Sequence, residues 1–307
     1  MTRTAIEENP RSHAALQPMV TRVCPLCGEA ETSHVICAGD TIFGCAGIFD
    51  VVRCNACGMM YTNPQIAPAH LGRFYPAAYS AHAPDRPIQR HYAPRSRDPW
   101  DQLPESGRKR LLDVGCGSGA YLLRQRARGW RCVGVEPSPD AVRAARSYGL
   151  DVYEGEIPGL VLTEGPFDVI VLMASLGCMS APLATLRTLR TMLADGGLLI
   201  VSAHNAGSNA ARVLGEDWQG WDLPRNLNHF TPDTLRRMIE LAGFGPVRIQ
   251  FRRRTSRWRH AARRRAAATG LLRWRLLASS RQLCSLVATL WSRGERSDEV
   301  VALAGQG

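Results

Sequence analysis

The stretch Leu111-Leu112-Asp113-Val114-Gly115-Cys116-Gly117-Ser118-Gly119 decides the fold. A short apolar run ends in an acid, three alternating glycines follow, and the amphipathic segment Ala120 to Arg128 reads as a helix. Such a strand–loop–helix unit brings main chain close to a ligand, because a side chain at the glycine positions would block the approach or forbid the turn. Two ligand classes use a loop of this kind. A dinucleotide site has G-x-G-x-x-G, with pyrophosphate at the helix N-terminus. Ala120 stands at the third glycine of that pattern, a tolerated variant. Asp113 argues the other way: it would repel a pyrophosphate but suits a ligand carrying an ammonium and a sulfonium. The next strand, Cys132-Val133-Gly134-Val135-Glu136, ends in an acid about 20 residues on, the spacing of a ribose-hydroxyl acceptor.

Asp-x-Gly-x-Gly-x-Gly followed by Val-Gly-Val-Glu-Pro-Ser resembles the class I S-adenosylmethionine-dependent methyltransferases. The likeness continues through Phe167-Asp168-Val169-Ile170-Val171 as the fourth strand, the helix Leu183–Leu193, the Asp195-Gly196-Gly197 turn and the strand Leu198–Val201, and it covers roughly residues 108–250. It implies an α/β fold with a Rossmann-like, seven-stranded, doubly wound sheet. It also implies cofactor-binding roles for Asp113, Gly115, Cys116, Gly117, Gly119 and Glu136. In Glu154-Gly155-Glu156 the family places an acid or amide near the adenine, which points to Glu156; a solvated loop acid is the alternative. Ser138-Pro139-Asp140 starts a helix that runs to Tyr148 and stops at Gly149.

At 307 residues and 45% hydrophobic, the chain is long enough for one large domain and a small one. It contains no apolar run near 18 residues, so no ordinary membrane span is expected. Met1 to Gln17 is polar and lacks the apolar core of an export signal, so residues 1–20 are expected to be disordered and the protein to lie in the cytoplasm, a reducing compartment.

Cys24-Pro25-Leu26-Cys27-Gly28 and Cys54-Asn55-Ala56-Cys57-Gly58 are matched C-x-x-C-G knuckles. A tetrahedral zinc takes four ligands, and each knuckle offers two thiolates from one tight turn. A lone redox C-x-x-C would not come in pairs. Cys24, Cys27, Cys54 and Cys57 are therefore the expected ligands of a structural Zn²⁺. The residues between can form a hairpin that includes Ile48–Arg53, with Cys37 and Cys45 as packing residues. The ribbon, then Met60-Tyr61-Thr62-Asn63-Pro64, Phe74-Tyr75 and Tyr79, resembles the N-terminal module of bacterial methyltransferases from sugar, polyketide and cell-envelope pathways. There it supports the substrate end of the catalytic domain. The expected division is a ribbon and substrate-side segment at 21–80, a linker at 81–105 and a methyltransferase domain at 106–307.

On the acceptor side the chain departs from that group. Many relatives carry a Glu-His pair at the positions of Gly177 and Cys178, and this chain has neither. The stretch from Asp217 to Thr231 resembles their Trp…Asp-x-Pro-Arg-His-Leu…His-Phe-Thr pattern, with Asn226 at the first His and His229 retained. His204, at a strand end where open sheets bind ligands, and His229 are the two candidates for a general base. A hydrogen-bonded structural histidine is the alternative for each. Trp218 and Trp221 either line an acceptor pocket or pack beneath a loop.

Charge is concentrated in one place. Eleven arginines and no acid lie between Arg248 and Arg275, and the rest of the chain is balanced, so the whole net +11 belongs to that segment. Val247–Phe251 and the closing stretch 298–303 read as the sixth and seventh strands, so 252–295 is a basic helical insertion between the last two strands, emerging on the cofactor side. Three readings compete for it: a solvated basic helix packed by its Leu face, a helix lying on an anionic membrane at the inner face, and a nucleic-acid grip.

These features describe S-adenosylmethionine-dependent methyl transfer to a small-molecule or sugar- or lipid-linked acceptor. Two other readings remain: an RNA methyltransferase gripping phosphates with ribbon and arginines, and a non-catalytic scaffold that keeps the cofactor fold.

Overall fold

Strands buried on both faces carry unbroken apolar runs rather than alternation. Leu111-Leu112, Val169–Leu172 and Leu199–Val201 are such runs, and every one of these side chains is fully buried. They form the middle of the main sheet in the computed structural model, which describes residues 18–76, 79, 98–105, 107–253 and 255–306. The expected disorder at 1–20 and the linker at 81–105 fall mostly outside the described residues. Where the two are described they are ordered. Met19–Val20 pair with Gln65–Ile66, and Trp100 and Leu103 are buried.

In chain order the strands are β1 (Met19–Val20), β2 (Thr32–Gly39), β3 (Ile48–Cys54), β4 (Met60–Thr62), β5 (Gln65–Ile66), β6 (Arg110–Val114), β7 (Arg131–Glu136), β8 (Asp151–Glu154), β9 (Phe167–Met173), β10 (Leu193–His204), β11 (Asn228–His229), β12 (Phe244–Arg252) and β13 (Glu299–Gln306). The helices are α1 (Pro68–Leu71), α2 (Ala120–Arg126), α3 (Pro139–Ser147), α4 (Pro182–Met192), α5 (Asn209–Leu214), α6 (Pro232–Leu241), α7 (Thr255–Thr269), α8 (Leu272–Ser279) and α9 (Arg281–Trp291). Local chemistry sets several boundaries. Ser138 accepts from the Ala141 N–H to open α3, and Thr231 and Thr234 close a capping box that opens α6. The expected turn at Asp195–Gly197 is instead an irregularity inside the long β10, where pairing with β9 shifts between Leu193 and Leu198.

The main sheet has the order β12-β13-β10-β9-β6-β7-β8, with β13 antiparallel to both neighbours and the central pairs parallel. This is the Rossmann-like, doubly wound arrangement that the sequence implies. Strand order reverses between β6 and β9, so the crevice beyond their carboxyl ends is the topological switch point where open α/β sheets bind ligands. Alternate residues face opposite layers. Leu111, Val169 and Ile200 pack with Tyr121, Leu122 and Val142 on one side. Leu112, Ile170 and Leu199 pack on the other with Leu186, Leu189, Leu235 and the knuckle residues Cys24, Leu26 and Met59.

The ribbon does not stand apart from this body. β2, β3 and β4 form an antiparallel sheet, and β11, from the far side of the sequence, adds to β4 as its edge strand. The join is locked by Arg225, whose side chain is completely buried, as is that of Asp40. Nη1 and Nη2 of Arg225 grip the two Asp40 oxygens at 2.9 and 2.7 Å, Nε donates to Asp222 Oδ1 at 2.8 Å, and Nη1 also donates to the Phe74 carbonyl at 2.8 Å. Nη2 lies 2.8 Å from Asp222 Oδ1 as well, so all five guanidinium donors are satisfied. Asp40 in turn accepts from the N–H groups of Ile42 and Phe43. Burial would raise the Asp40 carboxyl, but the Arg225 guanidinium and these N–H donors overcome it and hold it well below the usual carboxylate range.

The insertion leaves the sheet after β12 and returns at β13, as α7, α8 and α9. Its inward side chains are Trp258, Ala261, Ala262, Trp274, Cys284 and Ala288, packed with Leu214, Trp218 and Trp221. Of the three readings, packing by a leucine face is not what is seen: small residues and tryptophans, with Leu277 half-buried beside them, face inward, while Leu272, Leu276, Leu286 and Leu290 are exposed.

Removing one partner of a buried ion pair strands the other charge, at a cost of about 3–5 kcal/mol. Arg225→Met should therefore lower unfolding stability by about that much, measured by urea denaturation. The double variant Asp40→Leu, Arg225→Met should recover part of it. A single variant as stable as the parent would contradict the lock.

Candidate functional site

At the carboxyl end of β6 the glycine loop is stapled to the end of β7. The N–H groups of Gly115 and Cys116 donate to the Val135 carbonyl at 2.7 and 3.2 Å, and Gly117 N–H donates to Glu136 Oε2 at 2.9 Å. The other Glu136 oxygen accepts from Ser138 N–H at 2.9 Å. Glycine is needed here on two counts. Gly115 and Gly119 have φ of +81° and +80°, a region that L side chains rarely adopt. A Cβ would also lie 2.5 Å from Ser175 Cβ at Gly115, and 2.3 Å from Leu150 Cδ1 at Gly119. Cys116 turns its thiol inward, and a Cβ on Gly134 would meet that sulfur at 2.6 Å.

Two buried carboxyls flank the loop. Neither oxygen of Asp113 has a hydrogen-bond partner among the described residues. Burial, with the nearby Glu136 charge adding to it, pushes the Asp113 carboxyl up to about 8. Glu136 is raised by burial too, against the pull of the Ser138 and Gly117 N–H donors. An orphaned carboxyl beside a second acid is costly unless something positive comes to it. Next to them, at the end of β8, a cavity of about 360 Å³ is lined by Glu156, Ile157, Leu160, Met179 and Thr185 among others. Asp113, Glu136, Glu156 and the glycines thus gather at one crevice, as their spacing in the sequence suggests.

The opposite wall comes from segments far apart in the sequence. Cys178, on the loop after β9, is tied by proximity to Tyr75, Tyr79, Asp222 and Arg225. Burial pushes the Cys178 thiol up to about 12, and the charges of Asp222 and Glu136 act in the same direction. Burial likewise lifts the Tyr79 hydroxyl, which also senses Cys178, Asp222 and Glu136. The rings of Tyr75 and Tyr79 meet edge to face at 5.0 Å. Spacing did not bring out Asp222 or Arg225 as site residues; the closest signal was the match of their stretch to the family pattern. Asp222 has φ of +45° and Ala174, at the end of β9, +57°. Such non-glycine strain concentrates at functional sites.

The loop from Gly177 to Met179 is bound to the ribbon through β11. Leu227 N–H donates to the Gly177 carbonyl at 2.7 Å, Asn228 Nδ2 to Met179 O at 2.7 Å, and Thr62 N–H to Leu227 O at 3.0 Å. Arg22 Nη2 donates to Leu227 O at 2.6 Å. A Cβ at Gly177 would lie 2.0 Å from Asn226 Oδ1. Gly177 and Asn226, two of the three positions at which this chain departs from the pattern that it resembles, therefore lie against each other.

The two histidines separate. His229 is 1% exposed. Its Nε2 lies 3.1 Å from Thr62 Oγ1 and its Nδ1 3.4 Å from Asn226 Nδ2. Because the Thr62 hydroxyl donates to Asn226 O, it can accept from an Nε2–H, which leaves Nδ1 to accept from Asn226. Burial, aided by the Arg22 charge, pushes the ring down to about 3. His229 is thus held neutral, with both ring nitrogens engaged. His204 is half-buried at the end of β10, opposite Glu299 of β13. Trp218 and Trp221 are buried and edge to face at 5.0 Å, and Trp221 Nε1 donates to Gly215 O; they pack beneath the loop.

The knuckles mirror each other. Gly28 N–H closes on Cys24 O at 2.9 Å and Gly58 N–H on Cys54 O at 3.0 Å. The sulfurs of Cys24, Cys27, Cys54 and Cys57 all lie within 4.8 Å of one another. Four sulfurs bound about 2.3 Å from a tetrahedral centre would be about 3.8 Å apart. Cys45 is half-buried in the neighbouring core, while Cys37 is exposed rather than a packing residue.

Comparison with known proteins agrees with this geometry. The sequence model of a family described as a methyltransferase domain matches residues 88–249. A ubiquinone biosynthesis O-methyltransferase of Cereibacter sphaeroides (strain ATCC 17029) is 28% identical over 215 residues, covering 61% of this chain and 87% of that protein. Its counterpart in Caulobacter sp. (strain K31) is 29% identical over 233 residues, covering 69% and 88%. Among solved structures, a SAM-dependent methyltransferase from Thermotoga maritima aligns over 67% of this chain and 84% of that one, with a TM-score of 0.47 and 20% identity. With the family match spanning more than half the chain and the sheet wound in the implied order, the protein belongs to the methyltransferase-domain family and is a class I S-adenosylmethionine-dependent methyltransferase.

Proposed function

We propose that this methyltransferase serves a small or lipid-linked acceptor, with Asp113, Gly115, the Cys116 main chain, Gly117, Gly119, Glu136 and Glu156 holding the cofactor. The orphaned Asp113 carboxyl carries this reading, because a cationic ligand is the partner such a group lacks. S-adenosylmethionine, when bound, supplies an electrophilic methyl on a positive sulfur. Asp113 offers the amino end of that ligand a negative charge in a water-poor crevice. Glu136 keeps lone pairs for ribose hydroxyls while its two N–H contacts fix its orientation. The cavity beside Glu156 has the place and lining for an adenine. The chain's work on the acceptor is chiefly positioning, and the wall of Tyr75, Tyr79 and Cys178 supplies an apolar, aromatic surface for it. The name of the Cereibacter and Caulobacter relatives supports an oxygen as the accepting atom.

Where a proton must leave, His204 is the better placed of the two histidines, since His229 is engaged on both nitrogens. His204→Ala should cut turnover roughly a hundredfold with unchanged cofactor affinity; full turnover would remove it from the role. We assign Cys24, Cys27, Cys54 and Cys57 to one structural Zn²⁺, since four thiolates leave a zinc no open position. Metal analysis should find about one zinc per chain, with Cys27→Ser losing it; metal-free protein of equal thermal stability would defeat the assignment.

Asp113 makes a pH prediction. Its folded value, about 8, lies above the usual aspartate range. The free protein therefore keeps this proton where the unfolded chain has lost it, and its contribution to stability falls as pH rises through that window. A cation against Asp113 favours the ionised form. Cofactor binding should then release a proton below pH about 8 and tighten as pH rises toward that value. Titration calorimetry in buffers of different ionisation enthalpy reads this directly. The Asp113→Asn variant should lose the Asp113 share of the release, and unchanged proton counts would contradict the role.

A further inference from the structure

We propose that the insertion between β12 and β13 docks on the surface of an anionic lipid bilayer. Seven of the fifteen large apolar side chains exposed among the described residues lie between Leu271 and Trp291. On α9, Leu283, Leu286 and Leu290 recur at helical spacing on the outer side, while Cys284 and Ala288 face the core. On α8, Leu272 and Leu276 stand outside, and Trp274 points in. Each helix is therefore apolar on two sides, one used by the protein and one left to its surroundings. A solvated helix has no reason to keep a second leucine row.

The charge selects the occupant. From Arg252 to Arg293 the sequence carries twelve arginines and no acid. The structure uses only part of this charge. Arg252 pairs with Asp98 and Glu299, and Arg264 and Arg265 share Asp217 at 3.2 and 3.0 Å. Arg273, Arg275, Arg281 and Arg293 are exposed, beside or between the exposed leucines, and none has an ion-pair partner among the described residues. Leucine and tryptophan that enter the acyl boundary, flanked by cations at headgroup depth, are the chemistry of an interfacial helix. No helix among the described residues is long and apolar enough to cross a membrane, so the contact lies on the surface. Nucleic acid would use the arginines and leave the leucines unexplained.

Location gives the contact a purpose. β12 ends and β13 begins at the edge of the sheet that carries the crevice, with Arg252 paired to Glu299 and Glu299 opposite His204. Docking would present that edge to molecules embedded in the bilayer.

Vesicle flotation with the full-length protein tests this. Vesicles of phosphatidylcholine mixed with phosphatidylglycerol should carry the protein up, phosphatidylcholine alone should not, and added salt should release it. Arg273→Gln, Arg275→Gln and Arg281→Gln combined should weaken partitioning by roughly a hundredfold. Leu272→Ser with Leu286→Ser should weaken it without changing the charge. Both sets lie outside the crevice, so unchanged cofactor affinity shows that the variants are folded. Absence of flotation on the anionic vesicles would overturn the proposal. So would flotation indifferent to lipid charge, or binding to RNA without binding to vesicles.

Discussion

A guanidinium with no access to water holds the ribbon against the Rossmann-like body of this enzyme. Arg225 must have acceptors for five donors, and it finds them on three segments: Asp40 in the ribbon loop, the Phe74 carbonyl, and Asp222 on its own loop. Losing Asp40 would break a fully buried bidentate pair, and losing the Phe74 carbonyl or Asp222 would leave buried guanidinium donors unsatisfied, each more costly than losing a surface ion pair. β11 then has a fixed place beside β4, and the hydrogen bonds of Leu227 and Asn228 carry that constraint to the loop after β9. The ribbon is in this sense tied to the loop after β9 by a strand from a distant part of the chain.

The cofactor half follows a different logic. Its parts are close in sequence, and one acid, Asp113, is buried with no hydrogen-bond partner among the described residues. Burial, with the Glu136 charge adding to it, raises the proton affinity of Asp113, and burial raises that of Glu136 as well. Gly177 reflects the meeting of the two halves. Any larger residue there would drive into Asn226, and that side chain also orients His229.

This division explains what the sequence made legible. β6, its glycine loop and Glu136 could be read because about 20 residues of local chain contain the whole device, and the knuckles could be read because metal-ligand spacing is itself local. The winding order came with the resemblance to the methyltransferase family, and the sheet has that order. The Asp40–Arg225 pair joins residues 185 apart, and nothing in local spacing marks one as the partner of the other. The fate of His229 also depends on tertiary packing: the residue type suits a base, but Thr62 and Asn226 occupy both nitrogens. In the insertion, composition gave helices and charge but left the packing face open among alternatives; mostly alanine and tryptophan fill the space against Leu214 and Trp218.

The central claim is that ribbon, β11 and the loop after β9 form one cooperative unit. Native-state hydrogen exchange under increasing denaturant tests it most directly, at the amides of Thr62, Leu227 and Cys54. In one cooperative unit all three open with the same free energy and the same denaturant dependence. Ribbon amides that open at much lower free energy than Leu227 would contradict it and make the ribbon an appended module.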